Sequence, residues 1–416
     1  MRLIRTLLFV ALFAATATAQ TLSMGNDFSP VPNQGDLNVG PVRTAIDLNT
    51  PVDGTGSIST VKFHWSASGC ANAVKIKFFR RGGDQLTMLS ERGPFSSATG
   101  GSSSTTVTLN PPVSVQQGDL IGIARIIACG NPVSWGPAGT DGYVSYAADV
   151  TGSVMLGEGT RSGSTLALRA TGPATAYVVA VIPVVGSTAG SFGSNFRTSM
   201  QIHNSQVIGP KTIHGRLIFH RAGTMGTLSD PSLPYSIDPG KMIAFEDVVA
   251  TMGQTGLGSI DVEIVAGDIS PLVVTRIYND AGRNGTSGMT EDLIMADMRS
   301  SALRFMARSS VGFLPTPIDI DRTRMNIGVR SWVGGATLTA TLTDMHGTVL
   351  KTVTKSYPPN WFEQVDVTTF MGTPVRSNEV IRFTITSGAA IVYGSSTDNI
   401  TNDPAAVVVF ASYYET

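Results

Sequence analysis

The sequence is short of the residues and motifs that mark common enzyme sites. Its 416 residues include only five histidines and two cysteines. It contains no Gly-x-Ser-x-Gly elbow for a serine nucleophile, no His-Glu-x-x-His pair for zinc and no Gly-x-x-x-x-Gly-Lys loop for phosphate. These absences argue against the enzyme classes that carry those motifs. The sequence therefore predicts a protein that is not an enzyme.

The sequence also has no excess of positive or negative charge. Lys plus Arg (29) nearly equal Asp plus Glu (30), and only 14% of the residues are charged. Proteins that bind nucleic acid or anionic membranes present a basic surface. We therefore expect no nucleic-acid partner, and recognition has to come from local groups.

The N-terminus has the pattern of a targeting segment. Arg2 and Arg5 precede an apolar run over 7–15, and an Ala-Thr-Ala pattern ends at Ala19. This is the pattern of a secretory signal peptide, so we expect residues 1–19 to be removed by cleavage near Ala19. No later run approaches the ~20 apolar residues that a membrane span needs. The predicted protein is secreted, extracellular or periplasmic, and has no membrane span.

The two cysteines, Cys70 and Cys129, lie in the same third of the chain. In an oxidising compartment, a lone pair of cysteines in one domain favours a disulfide over a metal site. We predict a Cys70–Cys129 disulfide. Its closed loop is long enough to stabilise the fold by roughly 4 kcal/mol in the chain-entropy model.

Glycine, threonine, serine and valine are abundant. The chain has 45 glycines, and 42% of its residues are hydrophobic, which is enough for large cores. Segments 61–65 and 74–78 alternate apolar and polar residues, the period of two that strands impose. Residues 120–124 form a nearly continuous apolar run, which predicts a central strand. These patterns predict an all-β protein with many short strands and tight turns.

Two short segments occur twice in the same order. Arg-Thr-x-Met-x-Ile begins at Arg197 and again at Arg322, and Asp-Val-x-x-x-Met-Gly begins at Asp247 and again at Asp366. Two anchors in the same order at similar spacing indicate a tandem of one β-rich module. A Thr-Gly-Pro break ends near residue 173. The predicted domains are 20–173, 174–300 and 301–416.

The repeats resemble a known kind of module. Phe196-Arg197-Thr198, a Pro-Gly turn, the Asp-Val segment and the polar ending that begins at Asp398 look like the immunoglobulin-like β-sandwich modules of secreted bacterial proteins. Such modules also occur as C-terminal appendages of exoenzymes. The resemblance covers about residues 176–416 and implies a sandwich fold without a transferable activity. We expect an N-terminal jelly-roll-like sandwich followed by two tandem immunoglobulin-like sandwiches.

One polar segment is a candidate for a cation. Asp398, Asn399 and Asp403 stand in an oxygen-rich run before a proline. Calcium takes such oxygen ligands, whereas Asn and Asp also cap turns without any metal. The segment predicts either a calcium site or a capped turn, and no other cofactor is expected.

Other polar and aromatic residues have a structural and a functional interpretation. His214 and His220 are either solvent-facing residues of one strand or part of a metal site that lacks an evident third ligand. Arg197 and Arg322 bind either an anion or a carboxylate of their own module. The tryptophans either build cores or form a sugar-binding face, and they are Trp65, Trp135, Trp332 and Trp361.

Three functional hypotheses follow. The leading one is a non-enzymatic secreted or cell-surface protein for adhesion, attachment or structural display, whose partner is an extracellular protein or glycan. The second is a glycan-binding protein that uses its N-terminal domain. The third is an extracellular hydrolase whose site has no recognisable motif. All three occur on strand-rich folds, so the fold class does not separate them.

Overall fold

The computed structural model describes residues 21–28, 43–99, 104–135, 142–206, 209–266, 268–291, 294–295, 306–307 and 309–409. The predicted signal peptide at 1–19 lies outside this part of the chain. The described residues form 28 strands and two short α-helices, so the predicted all-β class is confirmed. No helix in these residues is both long and apolar enough to cross a membrane.

The N-terminal part of the chain folds as two β layers with a core between them, and a second, smaller cluster includes Ile46, Phe79 and Val144. Its strands are β1 Thr21–Gly25, β2 Arg43–Asp47, β3 Thr55–His64, β4 Val74–Gly82, β5 Gln85–Phe95, β6 Ser104–Val115, β7 Leu120–Arg125, β8 Ser134–Trp135, β9 Tyr143–Tyr146, β10 Ser153–Met155, β11 Thr160–Ser162 and β12 Thr165–Leu166. One layer has the order β10-β5-β4-β7-β2-β9-β11, and β3 pairs with β6 in the other. The apolar strand β7 lies between β4 and β2, in the central place that its composition predicts. Phe63, Ile76 and Ile123 are buried between the layers.

One long strand connects the N-terminal part to the first repeat. This strand, β13, covers Leu168–Ala189. Its first residues pair with β1 and β3, and its later residues pair with Gly256–Val265 of the first repeat. Residue 173, the predicted domain boundary, lies inside this strand. The two units are therefore joined by a hydrogen-bonded strand rather than by a free linker.

The first repeat has its own core, which includes Ile182, Ile202 and Phe219. Its elements are β14 Asn195–His203, β15 Ile213–Arg221, β16 Ser232–Ile237, β17 Met242–Phe245, α1 Val248–Thr251, β18 Gly256–Val265, β19 Leu272–Asp280, β20 Thr286–Glu291 and β21 Ile294–Met295. The strand order is β16-β15-β18-β13-β14-β19-β20, with β17 paired to β14.

The second repeat is built on two long strands and buries Leu338, Phe370 and Phe383. Its elements are β22 Met306–Ala307, β23 Val311–Pro315, β24 Thr323–Thr343, β25 Val349–Tyr357, β26 Phe362–Asp366, α2 Val367–Met371, β27 Val380–Asp398 and β28 Pro404–Val408. The order is β22-β27-β24-β25, with β23 and β28 also paired to β27 and β26 paired to β24.

The two repeats share one order of strand pairing. In the first, β14 pairs with β17 and β19, and β15 pairs with β16 and β18. In the second, the start of β24 pairs with β26 and the end of β27, while the rest of β24 pairs with β25 and the start of β27. Arg197 lies in β14 and Arg322 lies directly before β24. Asp247 and Asp366 each cap the short helix that follows β17 or β26.

Candidate functional site

A cleft of about 1330 Å³ lies where the N-terminal part and both repeats meet. The N-terminal part supplies loop 48–53 and the hairpin around Arg81, and the strand that leads into the first repeat supplies 177–179. The second repeat supplies 332–334 and 387–389. Because its walls come from all three units, the cleft exists only in the assembled chain.

A buried carboxylate holds loop 48–53 in shape. Asp47 accepts hydrogen bonds from the backbone N–H groups of Asn49 and Thr50, each at 2.9 Å, and from Thr50 Oγ1 at 3.0 Å. The side chain of Asn26 also donates to it. Burial raises the pKa of Asp47 to about 6, although these hydrogen bonds oppose the shift. Asp47 therefore positions Asn49 and Thr50 on the cleft wall.

The hairpin between β4 and β5 reaches both repeats. Arg81 donates from Nε to the Gly83 carbonyl and from Nη1 to the Gly334 carbonyl, both at 2.9 Å. The Gly83 N–H lies 3.2 Å from Met225 Sδ. Gly83 has φ of 65°, in the left-handed region that favours glycine. The tight turn thus brings the N-terminal part against the first repeat through Met225 and the second through Gly334.

The second repeat forms its wall where its long strands bend. The pairing of β24 with β27 shifts register at this point. Gly388 has φ of 67°, and a Cβ there would lie 2.0 Å from the Gly335 carbonyl oxygen, so the close approach requires glycine. The bend places Trp332 and Tyr357 on the cleft wall, although most of each side chain is buried.

The first repeat supplies Tyr177, which is half-buried, and Asp268. Asp268 accepts from Lys211 Nζ at 2.5 Å and from the His214 N–H at 2.7 Å. Burial would raise the pKa of Asp268, but the hydrogen bonds from Lys211 and His214 and the Lys211 charge lower it below its usual value. Asp268 is therefore an ionised group whose charge is already paired.

The described cleft lining contains three aspartates and two arginines, with many hydroxyl and amide groups. Asp53 accepts from the Ser23 N–H at 2.9 Å and from the Ser23 hydroxyl at 3.0 Å. Histidine, cysteine, lysine and glutamate are absent from the described lining. The described lining thus offers carboxylates together with many neutral hydrogen-bonding groups.

A buried polar network joins the two repeats. His220 Nδ1 lies 2.8 Å from Asp230 Oδ2, and its Nε2 lies 3.0 Å from Asp261 Oδ2. Arg330 donates to Asp261 Oδ1 and to Ser259 Oγ, both at 2.8 Å. The side chains of His220 and Arg330 are fully buried. Arg330 is the second repeat's contribution, so the network adds a polar contact to the apolar cluster in which Val181 and Ile277 of the first repeat lie with Phe362 and Ile391 of the second.

Opposite charges set the protonation of this network. Burial alone would lower the pKa of His220, but the charge of Asp261 and hydrogen bonds to both aspartates raise it above the usual value. Burial would raise the pKa of Asp261, but the charges of Arg330 and His220 lower it. His220 is thus an imidazolium with both ring nitrogens engaged, which makes it a structural group rather than a general base.

The network corrects one interpretation of the sequence. His214 is half exposed, but His220 is not a solvent-facing strand residue. The loop that follows β15 lies against the His220 ring at Gly226 and Asp230. The same loop is bonded to the second repeat, where the Gly223 N–H donates to the Phe362 carbonyl at 2.8 Å. The apolar run directly before His220 was the available signal, because strands buried on both faces lose their alternation.

The predicted calcium segment is one turn that brings Asp398, Asn399 and Asp403 together. Asp398 Oδ1 accepts from two backbone N–H groups at 2.8 Å, and Oδ2 accepts from Arg322 Nε at 2.8 Å. These bonds hold the pKa of Asp398 well below its usual range. Arg324 donates to Asn399 Oδ1 at 3.2 Å. Within the described ranges, no group of three or more His, Cys, Asp or Glu is arranged to hold a metal.

The repeated arginines bind carboxylates of their own repeats. Arg197 Nε lies 3.0 Å from Asp280, and its Nη1 lies 3.3 Å from Asp247. Arg322 pairs with Asp398. Both arginines thus have a structural partner.

The predicted disulfide between Cys70 and Cys129 is present. Trp65 is 3% exposed and donates its Nε1–H to the Cys129 carbonyl at 2.9 Å. Trp65 therefore belongs to the core beside the disulfide and not to a sugar-binding face. Of the other tryptophans, Trp332 lines the cleft and Trp361 packs on the core of the second repeat.

The side chain of Trp135 is outside the described part of the structure.

The chain matches no protein-family model, and no curated protein or solved structure is significantly similar to it. The geometry of the cleft is therefore the basis for a functional assignment.

Proposed function

We propose that this protein is a non-enzymatic, secreted protein that attaches to an extracellular partner through the cleft. The observation that carries the proposal is that three β units with separate cores supply the walls of one cleft. β13 fixes the first repeat to the N-terminal part, and an apolar cluster together with the Arg330–Asp261 pair joins the second repeat to the first. A preorganised cleft binds without the entropic cost of ordering separate domains.

The proposed architecture is a jelly-roll-like sandwich followed by two tandem immunoglobulin-like sandwiches. The two-layered N-terminal core and the shared pairing order of the repeats support it. The disulfide supports secretion, because disulfides persist in oxidising compartments. The partner is an extracellular protein or glycan, and the balanced charge argues against nucleic acid.

The test applies the labelled mature chain, residues 20–416, to arrays of extracellular glycans, proteins and peptides, together with a screen for their hydrolysis. We expect saturable binding without turnover. Ser356→Trp adds bulk at the cleft wall, and Thr352→Trp adds the same side chain to the same face of β25 at a residue outside the described lining.

We expect Ser356→Trp to weaken binding by about tenfold or more, and Thr352→Trp to leave it unchanged. Turnover of an arrayed compound would contradict the proposal. So would equal binding by the two variants.

A further inference from the structure

We infer that the cleft takes a neutral oligosaccharide. This inference rests on the proposed function and names the ligand of the same site. Its basis is the chemistry of the described lining, which combines balanced charges, many neutral hydrogen-bonding groups and aromatic side chains.

The charges of the described lining balance, because Asp268 is paired with Lys211 and the remaining aspartates, Asp53 and Asp84, are equal in number to the arginines, Arg81 and Arg161. Asp53 also accepts two hydrogen bonds from Ser23. Arg81 donates to two backbone carbonyl oxygens. An ionic ligand needs an opposite charge that is available to it, because desolvating an ion without a partner is costly. The cleft therefore favours an uncharged ligand over an anionic or cationic one.

The neutral polar groups suit a ligand that both donates and accepts hydrogen bonds. Hydroxyls and side-chain amides do both, as do sugar hydroxyls. These groups come from every wall of the cleft, and the described ones include Asn49, Thr50, Gln117, Ser270, Thr337, Ser356 and Ser387. A ligand rich in hydroxyl groups finds complementary partners on all sides.

The cleft also has aromatic side chains and a large volume. Tyr177 is half-buried on the wall, whereas Trp332 and Tyr357 are 8% and 7% exposed and present little of their rings. A partly exposed ring such as that of Tyr177 packs against the apolar C–H face of a sugar. The volume of about 1330 Å³ exceeds the ~300–1,000 Å³ that suits a single small ligand. The ligand is therefore a chain of several sugar units that contacts more than one unit of the protein.

The experiment is calorimetric titration of the mature chain with neutral gluco-, xylo- and manno-oligosaccharides of increasing length. Acidic oligogalacturonides and uncharged peptides serve as alternative ligands. We expect affinity for at least one neutral series to rise with chain length. Gln117→Ala and Ser356→Trp should each weaken it by about tenfold, and Thr352→Trp should not change it. Thermal melting of each variant checks that it is folded.

The outcomes separate the inference from the proposed function. Cleft-dependent binding of a peptide, a protein or an acidic saccharide, with no binding of neutral saccharides, overturns the inference and leaves the proposed function standing. Binding of neutral saccharides that Ser356→Trp and Gln117→Ala do not affect overturns the inference as well. No cleft-dependent binding of any ligand overturns both.

Discussion

The two repeats share their strand pairing but differ in how their strands continue. In the first repeat, β14 and β15 are separate strands, whereas the 21-residue β24 supplies both corresponding segments of the second. In the same way, β27 replaces both β18 and β19. The bend between the halves of β24 and β27 then becomes a wall of the cleft. One pairing order is thus compatible with different surfaces, and the surface carries the candidate site.

The polar residues of the two repeats also fall into a shared group and a group that differs between the repeats. Asp247 and Asp366 occur in both repeats and have the same local role as helix caps. Eight residues after the first arginine of each signature, the first repeat has Ser205 where the second has Arg330. Arg330 joins the repeats to each other through Asp261. Repeated residues therefore maintain the shared scaffold, and an unrepeated residue adds a buried polar contact to the apolar cluster between its copies.

The largest expected effect comes from the unrepeated arginine. Arg330→Met keeps a long side chain but leaves Asp261 buried without this cation, which should destabilise the protein by about 3–5 kcal/mol. Arg197→Met is the control, because Arg197 is partly exposed and surface ion pairs contribute about 0–1 kcal/mol. Chemical denaturation measures both. Equal shifts of the unfolding midpoint would show that the two arginines contribute equally to the free energy of unfolding, which would contradict this prediction.

A pH dependence is expected from the histidine of the first repeat. Since the folded-state pKa of His220 is raised, its stabilisation is fully present below the usual pKa of 6.5 and is lost as pH rises through the raised value. His220→Gln should flatten the alkaline decrease of the melting temperature and remove up to about 2 kcal/mol at lower pH. His346→Gln, at an exposed residue of the second repeat, is the control. If the melting temperatures of the wild type and of His220→Gln changed in parallel with pH, this role of His220 would be contradicted.

Substitution of the two helix-capping aspartates should change stability by amounts that differ less than those of the two arginines. Asp366 accepts from the N–H groups of Thr368 and Thr369, so Asp366→Ala should destabilise by about 1 kcal/mol. Asp247 also accepts from the Ser187 hydroxyl at 2.7 Å, and its partners are less exposed, so Asp247→Ala should destabilise by about 2 kcal/mol. Thermal unfolding compares the variants. A larger loss for Asp366→Ala would reverse this ranking.

The smallest expected effect tests the predicted calcium segment. Arg322→Gln removes the cation that pairs with Asp398, and it should therefore strengthen calcium binding at Asp398, Asn399 and Asp403. The affinity expected is that of extracellular modules, with Kd of about 10⁻⁴–10⁻³ M. Calorimetric titration of calcium into Arg322→Gln and into the control Arg197→Gln measures it. Equal heats for the two variants would remove the segment as a calcium site.

Local sequence patterns predicted the strands but did not predict the buried polar network of His220, Asp261 and Arg330. The alternation at 61–65 and 74–78 corresponds to β3 and β4, because the side-chain period of a strand depends only on neighbouring residues. The same reasoning made His220 a solvent-facing residue. It was wrong because the loop that follows β15 and Arg330 of the second repeat enclose the network of His220, and no local pattern in β15 identifies them.

By itself, the sequence determined the all-β class, the duplicated Arg-Thr and Asp-Val segments and the pairing of Cys70 with Cys129. Composition, repetition and a lone pair of cysteines are sufficient for these. Only the tertiary structure decided that β13 continues through residue 173, that Arg330 enters the first repeat and that three units enclose one cleft. The physical reason is that these features join residues far apart in the chain, and their contacts depend on how complete sheets pack together.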